Sequence, residues 1–476
     1  MSQWSLEDIL HPKSVAIVGA STNPIAQGYN FTRYLIEQGF GGKIYPVHPR
    51  YPEVLGLKAY PTVKEIPGPV DYVISCVPST EVLNLLEECS QKGVRCLHLF
   101  TARFSETGRQ DAAELEQQIL KQARKLGIRL IGPNCLGVYY PQVGLSFGYD
   151  FPAESGAVGF ASQSGGGATG FVRLAGMRGV RFSKVFSYGN ALDFNECDYL
   201  DYFAHDPETK TILMYIEGLK NGKKFFDLLR RVTPVKPVVI IKGGRGQSGM
   251  RAASSHTAAL AGSMKIWETA VGQAGAVSAR TFDELADLAV TFNFSPPILG
   301  RRVGVAGGGG GPSVLAADDC EEAGLEVIPL PAEIREELKS KNVSIWDWIG
   351  NPADVSIMGG SGVSGIDLLQ MMAKNKNFDL IILLVNEDAP FQKDEMMRRR
   401  REEIKVCLSL KKKSKKPLLV VAGEKSTNTE NYNHWRWKSL SQVRAKLIPA
   451  GIPVYPTVDR AARTARKVLD YYRNLK

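Results

Sequence analysis

Short apolar runs, rich in Val and Ile and separated by stretches of helical period, recur along this chain and constrain its fold more than any other feature. SVAIVG (14–19), KIYPV (43–47), YVISCV (72–77), RCLHLF (95–100) and RLIGPN (129–134) read as five strands, with helix-like stretches such as TRYLIEQ and AAELEQQILKQARKL between them. Strands without polar alternation, each followed by a helix, predict a parallel sheet covered on both faces. The pattern restarts with AVGFAS (157–162), SKVFSYG (183–189), TILMYIEG (211–218) and PVVIIKGG (237–244). After a turn-rich linker, FNFSPPILGRR (292–302), it restarts again with VGVAGG (303–308), LEVIPL (325–330), LIILLVNE (380–387), PLLVVAGE (417–424) and IPVYPT (452–457). The expectation is α/β: three successive doubly wound domains over 1–145, 146–295 and 300–476. The length agrees, since 476 residues at roughly 100–200 per domain make about three.

Composition excludes several classes. The longest apolar stretch, LIILLV (380–385), is far short of the roughly 18 residues a membrane helix needs. The N-terminus, MSQWSLEDILHPKS, has no basic segment followed by an apolar one, so no secretory signal is expected. Seven cysteines at irregular spacing, with no CxxC, fit reduced thiols in a cytoplasm. Much of the net charge of +10 comes from RRRREEIKVCLSLKKKSKK (398–416). That stretch has no interleaved aromatics and no nucleic-acid motif, so it reads as a solvated helix face and its following turn. No nucleic-acid or membrane partner is expected, and no metal site on the chain itself.

Three stretches could carry chemistry. In SVAIVGASTNPIAQG a strand runs through Gly19, Ala20 and Ser21 toward a helix, with Pro24 expected in its first turn. Backbone N–H groups at such a helix start can take a phosphate. The nicotinamide pattern GxGxxG is missing, and the second strand ends YPVHPR, with His48 and Arg50 where an acid would bind ribose. A basic end suits an extra phosphate near the ribose, as in NADP or coenzyme A; the alternative is a simply exposed Arg50. Val77 and Pro78 in CVPS, and Asn134 in GPNCLG, fall where the crevice past the strand ends would lie.

ASQSGGGATG (161–170) is a second anion cradle, with Ser162 and Ser164 as hydroxyls and Gly165 and Gly166 for close approach. It is not the GxSxG elbow of a hydrolase, because Ser162 stands where the first Gly would be. Glu217, at the end of MYIEGL, could fix an imidazole tautomer or could be an ordinary solvated carboxylate. RAASSHTAALAG (251–262) sets His256 among small residues, in a stretch from Gly243 to Gly262 that predicts a loop. A histidine with that much room could attack a phosphoryl group.

The motifs VAIVGAS, GPNCLGV, SQSGG, SSHTAALAG, GGGGGPSVLAADDCEEAGLEV and NPADV occur in an order that resembles the NDP-forming acyl-CoA synthetases, relatives of succinyl-CoA synthetase, and most closely α subunits of the ADP-forming acetate–CoA ligase type. The resemblance implies a Rossmann-like CoA-binding domain followed by two flavodoxin-like ligase domains. It implies that phosphate cleaves an acyl-CoA to an acyl phosphate, that His256 takes the phosphoryl group, and that ADP receives it. It further implies Glu217 as the group orienting His256, Ser162, Ser164, Gly165 and Gly166 as the phosphate cradle, and Gly19, Ala20, Ser21, Pro24, Arg50, Val77, Pro78 and Asn134 as CoA-site positions. ATP-grasp domains are not found in the sequence, so the resemblance implies a β subunit carrying them with ADP or ATP and Mg2+, in a hetero-oligomer such as α2β2. The substrates would be CoA and a small carboxylic acid. Two departures stand out: Arg103 in TARFSETG replaces a usual Gly, and SSHTAALAG has Ala where many relatives have Gly or Ser. Against an enzyme stands a CoA-binding regulator that kept the fold; an NADP oxidoreductase is disfavoured by the missing GxGxxG.

Overall fold

The computed structural model describes residues 4–249, 264–385, 392–427 and 429–475. The chain divides into two compact units, Met1–Leu285 and Ala286–Lys476. The first unit holds two large sheets. Strands β1 (Ser14–Val18), β2 (Lys43–Val47), β5 (Tyr72–Ser75), β6 (Cys96–Leu99) and β7 (Arg129–Ile131) form one in the order β2-β1-β5-β6-β7, with every neighbouring pair parallel. A two-residue hairpin, β3 (Glu53–Val54) and β4 (Leu57–Lys58), follows β2. Val73, Leu97 and Leu130 are fully buried against Leu86, Ile119 and Ala123 of the flanking helices. Helices on the faces are why these strands carry apolar side chains on both sides.

The second sheet contains β8 (Gly137–Tyr139), β9 (Val158–Ser162), β10 (Phe182–Ser187), β11 (Thr211–Ile216), β12 (Val238–Lys242) and β13 (Val277–Ala279), in the order β13-β12-β11-β9-β10-β8. It is parallel except for β8, which runs antiparallel to β10. Neither β8 nor β13 is announced by an apolar run, because Gly137 opens the first and Ser278 stands in the middle of the second. β8 lies inside the 1–145 stretch yet joins the second sheet, so the chain changes sheets directly after the GPNC turn.

In the second unit, β14 (Val303–Ala306), β15 (Leu380–Leu384), β16 (Leu418–Val421) and β17 (Val454–Tyr455) pair in chain order, all parallel. LEVIPL (325–330) does not form the expected strand. It makes one isolated bridge, Arg302 with Glu326. Pro329 inside it and Pro331 just beyond it lack the N–H a ladder needs. The basic stretch forms the helix Lys393–Lys413. Arg401, Lys412 and Lys413 are exposed as expected, but Arg400 is fully buried, paired with Glu403 and bonded to the Ser439 hydroxyl at 3.4 Å. The face is therefore not solvated throughout, because helix Trp435–Leu447 packs against the basic helix and covers Arg400. All seven cysteines are free thiols; six are buried and Cys76 is half-buried. No described helix is long and apolar enough to cross a membrane.

Candidate functional site

Two turns in the first unit, each leading from a strand end into a helix start, make the candidate site. The first follows β1. There Gly19 takes φ +87°, and its N–H and that of Ala20 donate to Val47 O at 3.0 and 3.2 Å. A Cβ on Gly19 would stand 2.9 Å from Cys76 O, so only glycine fits between β1 and the end of β5. Helix Gln27–Glu37 begins with Ala26 at its cap and no side chain bonded to its first N–H groups. Those donors are open to water or an anion. Gly28 lets this helix press onto the turn: a Cβ there would lie 2.0 Å from Gly19 O. Gly28 does not stand out in the sequence, because it lies further along than the spacing GxGxxG would place a packing glycine.

The other CoA-site positions fall around this crevice. Ala20 is buried, leaving only its backbone to face a ligand. The Ser21 hydroxyl accepts from Asn23 N (3.0 Å), and Asn23 Oδ1 accepts from Ile25 N (3.1 Å). Pro24 is exposed in this turn, three residues ahead of the helix rather than in its first turn, because the Ser21–Asn23–Ile25 bonds hold a separate turn before the helix starts. Past β2, the His48 ring stacks on Tyr51 at 4.1 Å and accepts the N–H of exposed Arg50 at 3.1 Å. Partial burial and the neighbouring Arg50 charge hold the His48 imidazole below its ordinary pKa. Past β5, Thr101 Oγ1 donates to Val77 O (2.8 Å), and Pro78 opens the next turn. Burial pushes the Cys76 thiol up to about 12, so it is no thiolate nucleophile. Asn134 is half-buried at φ +56°, its N–H on Thr101 O at 3.0 Å.

Arg103 is exposed at φ +76°, a left-handed backbone that glycine adopts without strain. Its N–H and that of Phe104 donate to the Glu106 carboxylate at 2.6 and 3.1 Å. Glu106 also accepts from Asn190 Nδ2 at 2.7 Å, which ties this loop to the turn after β10.

The second turn follows β9 and carries side chains instead. Ser162 is fully buried and donates to Ser164 O (2.8 Å). Ser164 caps helix Gly165–Met177, its hydroxyl accepting from Gly167 N at 3.0 Å. A Cβ on Gly165 would stand 3.0 Å from Leu136, whereas one on Gly166 would meet nothing within 4 Å. Gly166 is therefore the open face of the cradle. Glu217 lies one residue past β11, beside this turn. Gln163 links the two: its Oε1 accepts from Glu217 N and, at 2.9 Å, from Gly218 N. The Tyr215 hydroxyl donates to Glu217 Oε1 at 3.2 Å, and burial, helped by that carboxylate, raises the tyrosine pKa. Lys242, at the end of β12, donates to Glu217 O and to Gly243 O, each at 2.6 Å. Burial lowers the Lys242 pKa, with the Glu217 charge working against that shift. Gln163 and Lys242 were not singled out from the sequence. His256 lies outside the described residues. Among the described residues no cluster of His, Cys, Asp and Glu could hold a metal ion.

Two family models match the chain: a CoA binding domain over residues 13–141, and a succinyl-CoA ligase like flavodoxin domain over 155–292. The chain is 39% identical over 379 residues to the alpha subunit of the ADP-forming acetate–CoA ligase II of Pyrococcus furiosus, covering 80% of this chain and 82% of that one. It is also 39% identical over 354 residues to the ADP-forming acetate–CoA ligase of Methanocaldococcus jannaschii, covering 74% of this chain and 49% of that protein, about half its length. Its backbone matches the dinucleotide-forming acetyl-coenzyme A synthetase 1 of Ca. Korarchaeum cryptofilum, solved with phosphate and ADP, at a TM-score of 0.80 and 30% identity, over 99% of this chain and 97% of that one. The strand-turn-helix crevice with its basic rim, the Ser-capped cradle beside Glu217, and these likenesses converge: the chain belongs to the family of ADP-forming acetate–CoA ligases, which are acid–thiol ligases.

Proposed function

We propose that this chain interconverts an acyl-CoA, phosphate and ADP with a carboxylic acid, CoA and ATP, through an acyl phosphate and a phosphohistidine at His256. Phosphate attacks the thioester carbonyl, the C–S bond breaks, and CoA leaves as its thiol. His256 then attacks phosphorus; the P–O bond to the acyl group breaks, releasing the carboxylate. ADP takes the phosphoryl group from the histidine. Helix Gly165–Met177, with Ser164 at its cap, presents backbone N–H groups and a positive dipole end to a dianion. Glu217 is the carboxylate that would orient the imidazole. CoA fits the first turn: Gly19 and Gly28 let the turn and the uncapped helix start pack closely, which turns free backbone N–H groups toward its pyrophosphate, and exposed Arg50 supplies a basic rim. We read the chain as three domains over 1–145, 146–295 and 300–476, working in the cytoplasm. The nucleotide, with Mg2+, would sit on a β subunit carrying ATP-grasp domains.

The observation that most supports a ligase over a CoA-binding regulator is the bond from Gln163 to the Glu217 peptide. It fixes a carboxylate beside the anion cradle, an arrangement that CoA binding alone does not need. The test is to reconstitute the chain with an ATP-grasp β subunit and supply ATP labelled at the γ-phosphate. Label is expected on the wild-type chain and not on His256→Ala; a wild-type chain that stays unlabelled overturns the reading.

A further inference from the structure

Glu217 can orient a histidine only if its own peptide is held still, and two side chains from different strand ends hold it. Gln163 leaves β9 and is buried; its amide oxygen accepts the N–H of Glu217 and of Gly218. Lys242 ends β12; its ammonium donates to the carbonyl of Glu217 at 2.6 Å. The same peptide is thus gripped at its N–H side by the anion-cradle turn and at its C=O side by the neighbouring strand.

Lys242 does a second thing. It also donates to Gly243 O at 2.6 Å, while Gly243 N donates to Ile216 O at 2.8 Å. Gly243 is the first residue past β12, where the chain sets out toward His256 in the sequence. A Cβ on Gly243 would stand 2.7 Å from the Tyr215 hydroxyl oxygen and 3.2 Å from Glu217 Cγ. The exit of β12 therefore lies directly against the Glu217 side chain, and one ammonium bridges both carbonyls. Charge-assisted bonds of this kind are the stronger class and the costlier to lose.

Resting on the function proposed above, we propose that Gln163 and Lys242 are positioning residues for phosphoryl transfer. They clamp the Glu217 peptide from both sides, and Lys242 additionally pins the exit of β12 to it. Neither needs to touch substrate. Their contribution is geometry, and a misplacement of about 1 Å at a reacting group can cost on the order of 100-fold in rate.

Four variants in the reconstituted α–β complex test this. Lys242→Met keeps the aliphatic stem and removes the donor; Lys242→Arg keeps a charged donor able to reach two carbonyls. Gln163→Leu removes the acceptor; Gln163→Glu keeps it. The readouts are the single-turnover rate of His256 labelling from γ-labelled ATP, KM for CoA, and the thermal midpoint. Lys242→Met and Gln163→Leu should each slow labelling by about 100-fold with KM for CoA changed less than about two-fold, and Lys242→Arg and Gln163→Glu should recover most of the rate. A merely structural role would lower the thermal midpoint without this split and without rescue. Should Lys242→Met fail to fold, the Gln163 pair decides alone. Folded Lys242→Met or Gln163→Leu chains that label at the wild-type rate overturn the inference while the functional reading stands. A wild-type chain that does not label overturns both.

Discussion

The two strand-turn-helix turns of the first unit start from the same plan and diverge in what they place at the helix start. After β1, the close approach comes from glycine: Gly19 at φ +87°, Gly28 beneath it, and a helix whose first N–H groups have no side-chain cap. After β9, the helix is capped by Ser164, and next to the cap Gln163 holds the Glu217 peptide, which Lys242 grips from its carbonyl side. The first turn offers shape and backbone donors, which suffice to bind a phosphate-bearing ligand. The second fixes ionisable groups relative to one another, which chemistry needs. Strand-end glycines are thus no guide to function by themselves; the side chains that reach in from neighbouring strands separate a binding turn from a reacting one.

The sharpest way to break this comparison uses one glycine from each turn. Gly28 and Gly166 are both the second residue of their helices. A Cβ on Gly28 would collide with backbone, 2.0 Å from Gly19 O, whereas on Gly166 it would meet nothing within 4 Å. Gly28→Ala should therefore cost about 3 kcal/mol or more, since helix Gln27–Glu37 must move off the turn. Gly166→Ala should leave stability unchanged or raise it by up to about 1 kcal/mol, from helix propensity. Urea unfolding of the two variants measures this. Equal effects would mean that the first turn is not held by glycine packing.

The same contrast explains what the sequence disclosed. Strand cores such as VAIV and LIILL were legible because burial on both faces demands unbroken apolar runs. LEVIPL satisfied that pattern yet formed no strand, since periodicity does not register the missing donors of Pro329 and Pro331. β8 and β13 carry no apolar run, since Gly137 opens one and Ser278 interrupts the other. At the site, motif glycines and serines stood out by composition, and Glu217 by its place at a strand end. Gln163 and Lys242 did not: their bonds run from side chains to a peptide distant in sequence, a pairing that only the folded register of β9, β11 and β12 creates.

The joint between the two turns can be tested by acid. His98, on β6, is buried with Nε2 at 3.2 Å from Cys135 O, and its ring fills the space left by Gly137, where β8 begins. Burial lowers its pKa from 6.5 to about 4, outweighing the bond to the carbonyl. The unfolded chain therefore takes up a proton near pH 6.5 while the folded chain resists until about pH 4. Stability from this group is present above pH 6.5 and is lost as pH falls toward 4, by about 3 kcal/mol. His98→Gln keeps an N–H for Cys135 O and has nothing to protonate. Its thermal midpoint, compared with wild type between pH 7 and pH 4, should fall less steeply; parallel curves would show that the joint does not depend on a neutral His98.

The smallest expected effect concerns a third turn, after β6, which mixes both devices. Like the β1 turn it needs a left-handed residue, and like the β9 turn it is held by a side chain, with Glu106 accepting the N–H groups of residues 103 and 104. Arg103 supplies the left-handed position at φ +76° although it carries a Cβ. That conformation costs a non-glycine residue roughly 1–2 kcal/mol, part of which glycine gives back through the greater freedom of its unfolded chain. Arg103→Gly should therefore stabilise the folded chain by up to about 1 kcal/mol, seen as a higher urea midpoint. Arg103→Ala retains the strain and loses only an exposed side chain, so it should stay within about 0.5 kcal/mol of wild type. If the two variants unfold together, the Glu106 carboxylate, and not backbone freedom, sets this turn, and glycine is needed only where a Cβ would strike backbone, as at Gly19 and Gly28.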